Sequence, residues 1–169
     1  MSDEFKISLA QLNATVGDLS GNTQTVMEAW EIARDQRSDL IAFPDLFITG
    51  YNPQDLILKT AFQKAATSSI DQIAKACAQG PAIAIGGPFY DENKLYNSYY
   101  ILAYGKIQAV IKKHHLPNEE VFDEVRLFSS GNVDGPFQIG KMRIGSPICE
   151  DAWHTDIVCL LYTSPSPRD

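Results

Sequence analysis

The stretch Gly145-Ser-Pro-Ile-Cys-Glu-Asp-Ala-Trp153 carries the most chemistry in the chain. An apolar run ends there in a cysteine followed by two acids. Cys149 is therefore expected at a strand end that opens into a loop, where α/β folds place reactive groups. A thiol in that position can attack a carboxamide if a neighbour takes its proton. On spacing alone, a buried structural cysteine is the commoner reading. Cys77 is of that plainer kind, on the apolar stripe of a predicted helix. Lys113, in Lys113-His-His-Leu-Pro-Asn118, closes a predicted strand and can hold a cationic head over a developing oxyanion. Alone, it reads more simply as a solvated surface lysine. Asp45, in Phe43-Pro44-Asp45, is a carboxylate just past a strand end, suited to a general base or, more plainly, to a turn. Glu124 is a second candidate carboxylate, with surface pairing to Arg126 as its alternative. No metal site is expected. His114 and His115 are neighbours that point apart in an extended segment, and His154 has no third ligand at a sensible spacing.

Acid, lysine and cysteine thus follow in that order, each at or just after a predicted strand end. The elements that would position them are legible in outline. Phe5 to Leu12 reads as a strand, Thr15 to Gly21 as a loop, and Asn22 as the N-cap of an amphipathic helix carrying Val26, Ala29, Trp30 and Ala33. Asp39 to Phe43 is a buried strand ended by Pro44. A turn-rich loop, Leu46 to Pro53, leads to a short helix near Asp55 to Leu58. A second long helix, from Phe62 to Cys77, ends at Gln79-Gly80-Pro81. Ala82 to Gly86 is a strand. Tyr96 to Tyr104 and Ile107 to Lys112 form a hairpin around Gly105-Lys106. His114 to Gly135 is long and irregular, which in a compact domain marks a functional loop. Phe137 to Ile139 and Met142 to Ile144 flank a second Gly-Lys turn, and Ile148 to Asp151 follows at a strand end. The pattern is that of a layered α/β sheet.

The 169 residues, 44% apolar, suit one globular domain. A net charge of −7 argues against nucleic acid or an anionic membrane as partner. No stretch approaches the roughly 20 apolar residues of a membrane span. The start MSDEFK lacks the basic and apolar regions of a secretory signal, so a cytoplasmic setting is expected. Three cysteines without CxxC spacing fit a reducing compartment. The last eleven residues, CLLYTSPSPRD, differ in character. They resemble translated sequencing-adaptor DNA, and residues 159–169 are read as a non-native tail after a domain spanning 1–158.

The order acid, lysine, cysteine resembles the Glu-Lys-Cys arrangement of the nitrilase superfamily of carbon-nitrogen hydrolases. The motifs narrow this to the glutaminase domain of glutamine-dependent NAD synthetases. Ala10-Gln-Leu-Asn-Ala-Thr-Val-Gly-Asp-Leu-Ser-Gly-Asn22, Thr49-Gly-Tyr-Asn-Pro-Gln-Asp-Leu56, Leu95-Tyr-Asn-Ser98, Leu116-Pro-Asn118 with Val121-Phe-Asp-Glu124, and Ile148-Cys-Glu-Asp151 with Trp153 all look like that family. The resemblance runs from about Lys6 to Val158. It implies an αββα sandwich, here its N-terminal part only, and hydrolysis of glutamine to glutamate and ammonia. Cys149 would form a thioester. Lys113, with a backbone N–H near Cys149, would stabilise the oxyanion. Asp45 would be the general base and Glu124 a supporting carboxylate. Tyr51 would shape the glutamine pocket, with Glu119 also at the substrate. No cofactor is implied for this step. ATP and magnesium belong to a C-terminal synthetase domain that amidates nicotinic acid adenine dinucleotide, and a homo-oligomer is implied for the full protein. No Gly-rich phosphate loop occurs in the chain.

Three departures qualify the resemblance. The family has glutamate where Asp45 stands, and aspartate withdraws the carboxylate by roughly 1.2–1.5 Å. The family has tyrosine where Glu119 stands. The chain also stops soon after Cys149, which predicts an open apolar sheet edge. A different nitrilase-type amidase, or a catalytically impaired binding or assembly module, remains as an alternative.

Overall fold

The structure is a computed structural model that describes residues 4–163. Strands β1 (Ile7–Leu9), β2 (Leu40–Ala42), β3 (Ala82–Asp91), β4 (Lys94–Ala103) and β5 (Lys106–Lys112) form one sheet in chain order. The first three are parallel and the last three antiparallel. Helices α1 (Leu19–Asp35) and α2 (Thr60–Ala76) supply the two crossovers. A short hairpin, β6 (Phe137–Ile139) with β7 (Met142–Ile144), forms a second sheet. A 3-10 segment, Gln54–Leu58, precedes α2 where the short helix is expected, and one-turn α3 (Glu124–Leu127) and α4 (Thr155–Thr163) follow β5.

The side-chain period of two sorts the core into two layers. Ile83 and Ile85 of β3, with Tyr100 and Leu102 of β4, face α1 and α2, where Val26, Trp30, Ala33, Ile70 and Ile73 cover them. The alternate residues Ala82, Ala84, Ile101 and Ala103 face Phe137 and Ile139 of the hairpin and Ile148 beside the nucleophile candidate. The described residues thus comprise a helix layer, the main sheet and a second, two-stranded sheet.

Several expectations need correction. Asp18, not Asn22, caps α1, accepting from the Gly21 N–H at 2.8 Å. Asn22 lies one turn in, buried, and binds the Thr15 N–H and carbonyl and the Ile48 carbonyl. A buried amide with three backbone partners fixes two loops at once, which a local capping rule does not anticipate. The first strand is only Ile7–Leu9, because β2 offers just three residues to pair with it. Beyond Gly86, β3 runs on to Asp91 and turns back through Glu92-Asn93, both at positive φ. Pro88 is tolerated there because β2 pairs only with residues 82–84, which leaves that side of β3 without a ladder. The β4–β5 turn centres on Tyr104-Gly105 rather than Gly105-Lys106. Cys149 does not follow a strand directly, since β7 ends at Ile144 and Cys149 opens a 3-10 turn, Cys149–Trp153. No correction attaches to the expected tail: its residues 159–163 lie in α4, and Ser164-Pro-Ser-Pro167 lies outside the described residues. No helix among the described residues is long and apolar enough to cross a membrane.

Candidate active site

Asp45 sits in the loop leaving β2. That loop is sewn onto β3 by bonds from the Phe43 N–H to the Ala84 carbonyl (2.8 Å), from the Gly86 N–H to the Pro44 carbonyl (3.3 Å) and from the Ile48 N–H to the Gly86 carbonyl (3.1 Å). The close approach requires glycine. A Cβ on Gly86 would stand 2.1 Å from the Leu46 nitrogen and 2.6 Å from the Asp45 carbonyl carbon. The Tyr99 hydroxyl, donating to the Phe43 carbonyl at 2.6 Å, fixes the same loop from β4.

Lys113 is the first residue past β5. Its N–H donates to the Asn97 carbonyl at 2.9 Å, and its own carbonyl accepts from the Gly131 N–H at 2.8 Å. Its side chain is fully buried, and Nζ donates to Glu124 Oε1 at 2.9 Å and to Asp45 Oδ2 at 3.4 Å. Glu124, at the start of α3, is also buried. It accepts from the Tyr51 hydroxyl at 3.1 Å and from Asn97 Nδ2 at 3.2 Å. Asn97 Nδ2 also reaches Asp45 Oδ2 at 3.3 Å. The surface alternative for Glu124 is therefore not realised, as Arg126 pairs with Asp55 and Asp123.

Cys149 is exposed and shares a small cavity, about 170 Å³, with Asp45, Phe43, Tyr99, Ser146, Pro147 and Ile148. Its backbone is left-handed, at φ +48°. Glu119 is exposed on the 118–121 loop, and the structure shows it in none of these side-chain contacts.

The electrostatics suit a proton transfer between thiol and carboxylate. Burial pushes the Asp45 carboxyl above its usual value, against the pull of Lys113, and the Glu124 charge adds to the rise. Burial would lower the Lys113 ammonium, but Asp45 and Glu124 together outweigh it and the net shift is upward. Burial raises the Cys149 thiol, with Lys113 and the Glu150 backbone N–H pulling the other way. The lysine is thus a fixed cation, and the thiol needs a base. Burial and the Glu124 charge hold the Tyr51 phenol above its usual range.

Sequence reading gave no role to Asn97 or Asp151, although both lie in the quoted motifs. Asn97 is fully buried and bridges the two carboxylates. A buried amide between two acids is the signal, visible only once β4 is placed beside β5. His154 is not alone either. Its ring stacks on that of His115 with centroids 3.7 Å apart and planes at 19°, and the ligand-capable atoms of His115, His154 and Asp156 lie within 4.8 Å of one another.

The model for the family described as carbon-nitrogen hydrolase matches residues 6–164. The glutamine-dependent NAD(+) synthetase of Rhodobacter capsulatus is 47% identical over 157 residues, covering 93% of this chain and 28% of the relative. That of Aquifex aeolicus is 38% identical, covering 90% of this chain and 27% of the relative. The structure of the glutamine-dependent NAD+ synthetase from Acinetobacter baumannii, in complex with adenosine diphosphate, superposes with a TM-score of 0.88 at 34% identity. It covers 93% of this chain and 30% of that one. An amidase from Nesterenkonia sp. has the same fold, with a TM-score of 0.78 at 22% identity over 91% of this chain and 59% of its own. The chain spans under a third of the length of the synthetases it matches. The chain belongs to the carbon-nitrogen hydrolase family, which it matches over residues 6–164.

Proposed function

We propose that the chain is the glutamine-hydrolysing part of a glutamine-dependent NAD synthetase. The carrying observation is a fully buried lysine held between Asp45 and Glu124, with Cys149 on the same cavity as Asp45. Asp45 takes the Cys149 proton, and the thiolate attacks the side-chain carboxamide carbon of glutamine. Negative charge gathers on the amide oxygen, where Lys113 Nζ and the Glu150 backbone N–H face it. Asp45 returns the proton to the leaving nitrogen, ammonia departs, and a thioester remains on Cys149. Water then gives a proton to Asp45 and attacks the thioester. Collapse releases glutamate, and the proton on Asp45 returns to the sulfur. Glu124 and Asn97 hold the lysine and the base in register. Tyr51 walls the pocket, and Glu119 meets substrate at its rim. The ammonia serves an amidating unit elsewhere in the protein. ATP and magnesium act there, on nicotinic acid adenine dinucleotide, and the hydrolytic step uses no cofactor. The working protein is a cytoplasmic homo-oligomer.

The test is covalent trapping. A diazoketone analogue of glutamine should add one equivalent to Cys149, read by intact mass and peptide mapping, and Cys149→Ser should take up none. Labelling confined to Cys77 or Cys159, or none at a Cys149 that iodoacetamide still alkylates, would sink the reading. The second reading, an impaired module, rests on the length of Asp45, whose contacts at 3.3 and 3.4 Å are longer than the 2.9 Å of Glu124 to the same lysine. Trapping without turnover would favour it.

A further inference from the structure

Asp151 is buried two residues past Cys149, yet the chemistry above leaves it without a task. Its carboxylate accepts from three backbone N–H groups. Oδ1 takes His115 at 2.7 Å and His114 at 3.2 Å, while Oδ2 takes His114 at 3.3 Å and Ile148 at 3.4 Å. The histidines directly follow Lys113, and Ile148 directly precedes Cys149. The Asp151 N–H also closes the 3-10 turn on the Ile148 carbonyl at 3.1 Å. One side chain therefore joins the backbone carrying the cation to the backbone carrying the thiol. It does so at a cysteine held in the left-handed region, a conformation a non-glycine residue keeps only when its surroundings over-determine it. The alternative partners for these N–H groups are few, because the loop from His114 onward has no ladder to join.

We infer that Asp151 is a positioning residue that sets the register between Lys113 and Cys149 and holds the Cys149 turn, and this rests on the proposed chemistry only for its effect on turnover. Asp151→Asn keeps the size but sets an NH2 group against N–H donors, and Asp151→Ala removes the acceptor. Two readouts separate positioning from general stability. The first is the pH profile of Cys149 alkylation by iodoacetamide, which senses the lysine charge beside the sulfur. The second is glutamine-dependent ammonia release, split into kcat and KM.

In folded Asp151→Asn, the alkylation midpoint should move upward by about half a pH unit or more as the cation is displaced. Its kcat should fall about a hundredfold, the scale of a 1 Å misplacement, with KM changed by no more than about threefold. An alkylation profile and kcat equal to those of the unsubstituted chain would overturn the inference, as would losses that only track the folded fraction. If neither variant folds, amide hydrogen exchange on the unsubstituted chain decides. The His115 and Ile148 N–H groups should exchange together and at least about tenfold more slowly than those of the 118–121 loop, and free exchange of either would overturn it. A shifted alkylation profile in a chain that never hydrolyses glutamine would leave the positioning role intact and refute the function proposed above. Turnover that is present and unchanged in folded Asp151→Asn would refute the positioning role alone.

Discussion

At Asp45, one methylene separates two outcomes. Both of its polar contacts are long, and its other oxygen is buried without a hydrogen-bond partner, so a longer arm has somewhere to go. Asp45→Glu should raise glutamine turnover by about ten- to a hundredfold in an ammonia-release assay, and unchanged or lower turnover would defeat the short-base argument. The same residue sets the acid side of the pH profile. Its folded pKa is raised by burial, so turnover should fall as pH drops through a midpoint above the ordinary aspartate value of 3.8. For stability the sign is the reverse. The folded state holds this proton more tightly than the unfolded chain does, so ionised Asp45 works against folding, and that cost disappears as pH falls from the folded pKa towards 3.8. Asp45→Asn should therefore lose about 10²- to 10⁴-fold in rate while its melting temperature at neutral pH stays level or rises. Lys113 behaves oppositely. Lys113→Met leaves Glu124 and Asp45 facing each other with no cation between them, and a urea melt should show a loss of about 3–5 kcal/mol.

Among the elements, the loop from β2 is the most exposed to a single change, because it crosses β3 at Gly86. Gly86→Ala puts a methyl into the Leu46 backbone, which cannot give way as a flexible side chain would. We expect about 1–3 kcal/mol of destabilisation and a fall in turnover larger than the lost folded fraction accounts for, measured by thermal melt beside ammonia release. This position also shows where reading the sequence stops working. Gly86-Gly87-Pro88 reads locally as the end of a strand, whereas the strand continues and the glycines admit another loop's backbone, a tertiary demand with no local signature. Asn22 failed as a cap for the same reason, since its partners Thr15 and Ile48 lie in different loops. What was legible depended on short-range patterns. The two Gly-containing hairpins followed from turn chemistry, and the helix faces of α1 and α2 from their periodicity. Asp45 and Lys113 stood out because each sits just past a strand, which chain order reveals. The bridging of Asn97 and Asp151 did not stand out, because each acts across segments far apart in sequence.

For the molecule as a whole, the weak point is the outer side of β1. The strand pairs with β2 on one side only among the described residues, and Ile7 and Leu9 are 46% and 71% exposed. With Leu12 and Ile32 they line an open groove of about 590 Å³ between the strand and α1. An apolar strand with free N–H and C=O groups invites a second chain to pair with it, and a contiguous apolar patch adds to the attraction. The 169-residue chain expressed by itself should therefore self-associate through β1, with a mass in light scattering that grows with concentration. A lysine on such an edge opposes pairing through charge, so Leu9→Lys, at the end of β1, should lower the associated fraction without lowering the melting temperature, because the Leu9 side chain covers little of the core. Leu9 lines that groove and not the cavity shared by Asp45 and Cys149, so the diazoketone label at Cys149 should be retained. A monodisperse monomer for the unsubstituted chain would contradict the edge argument. Association that persists in Leu9→Lys would move the contact away from β1.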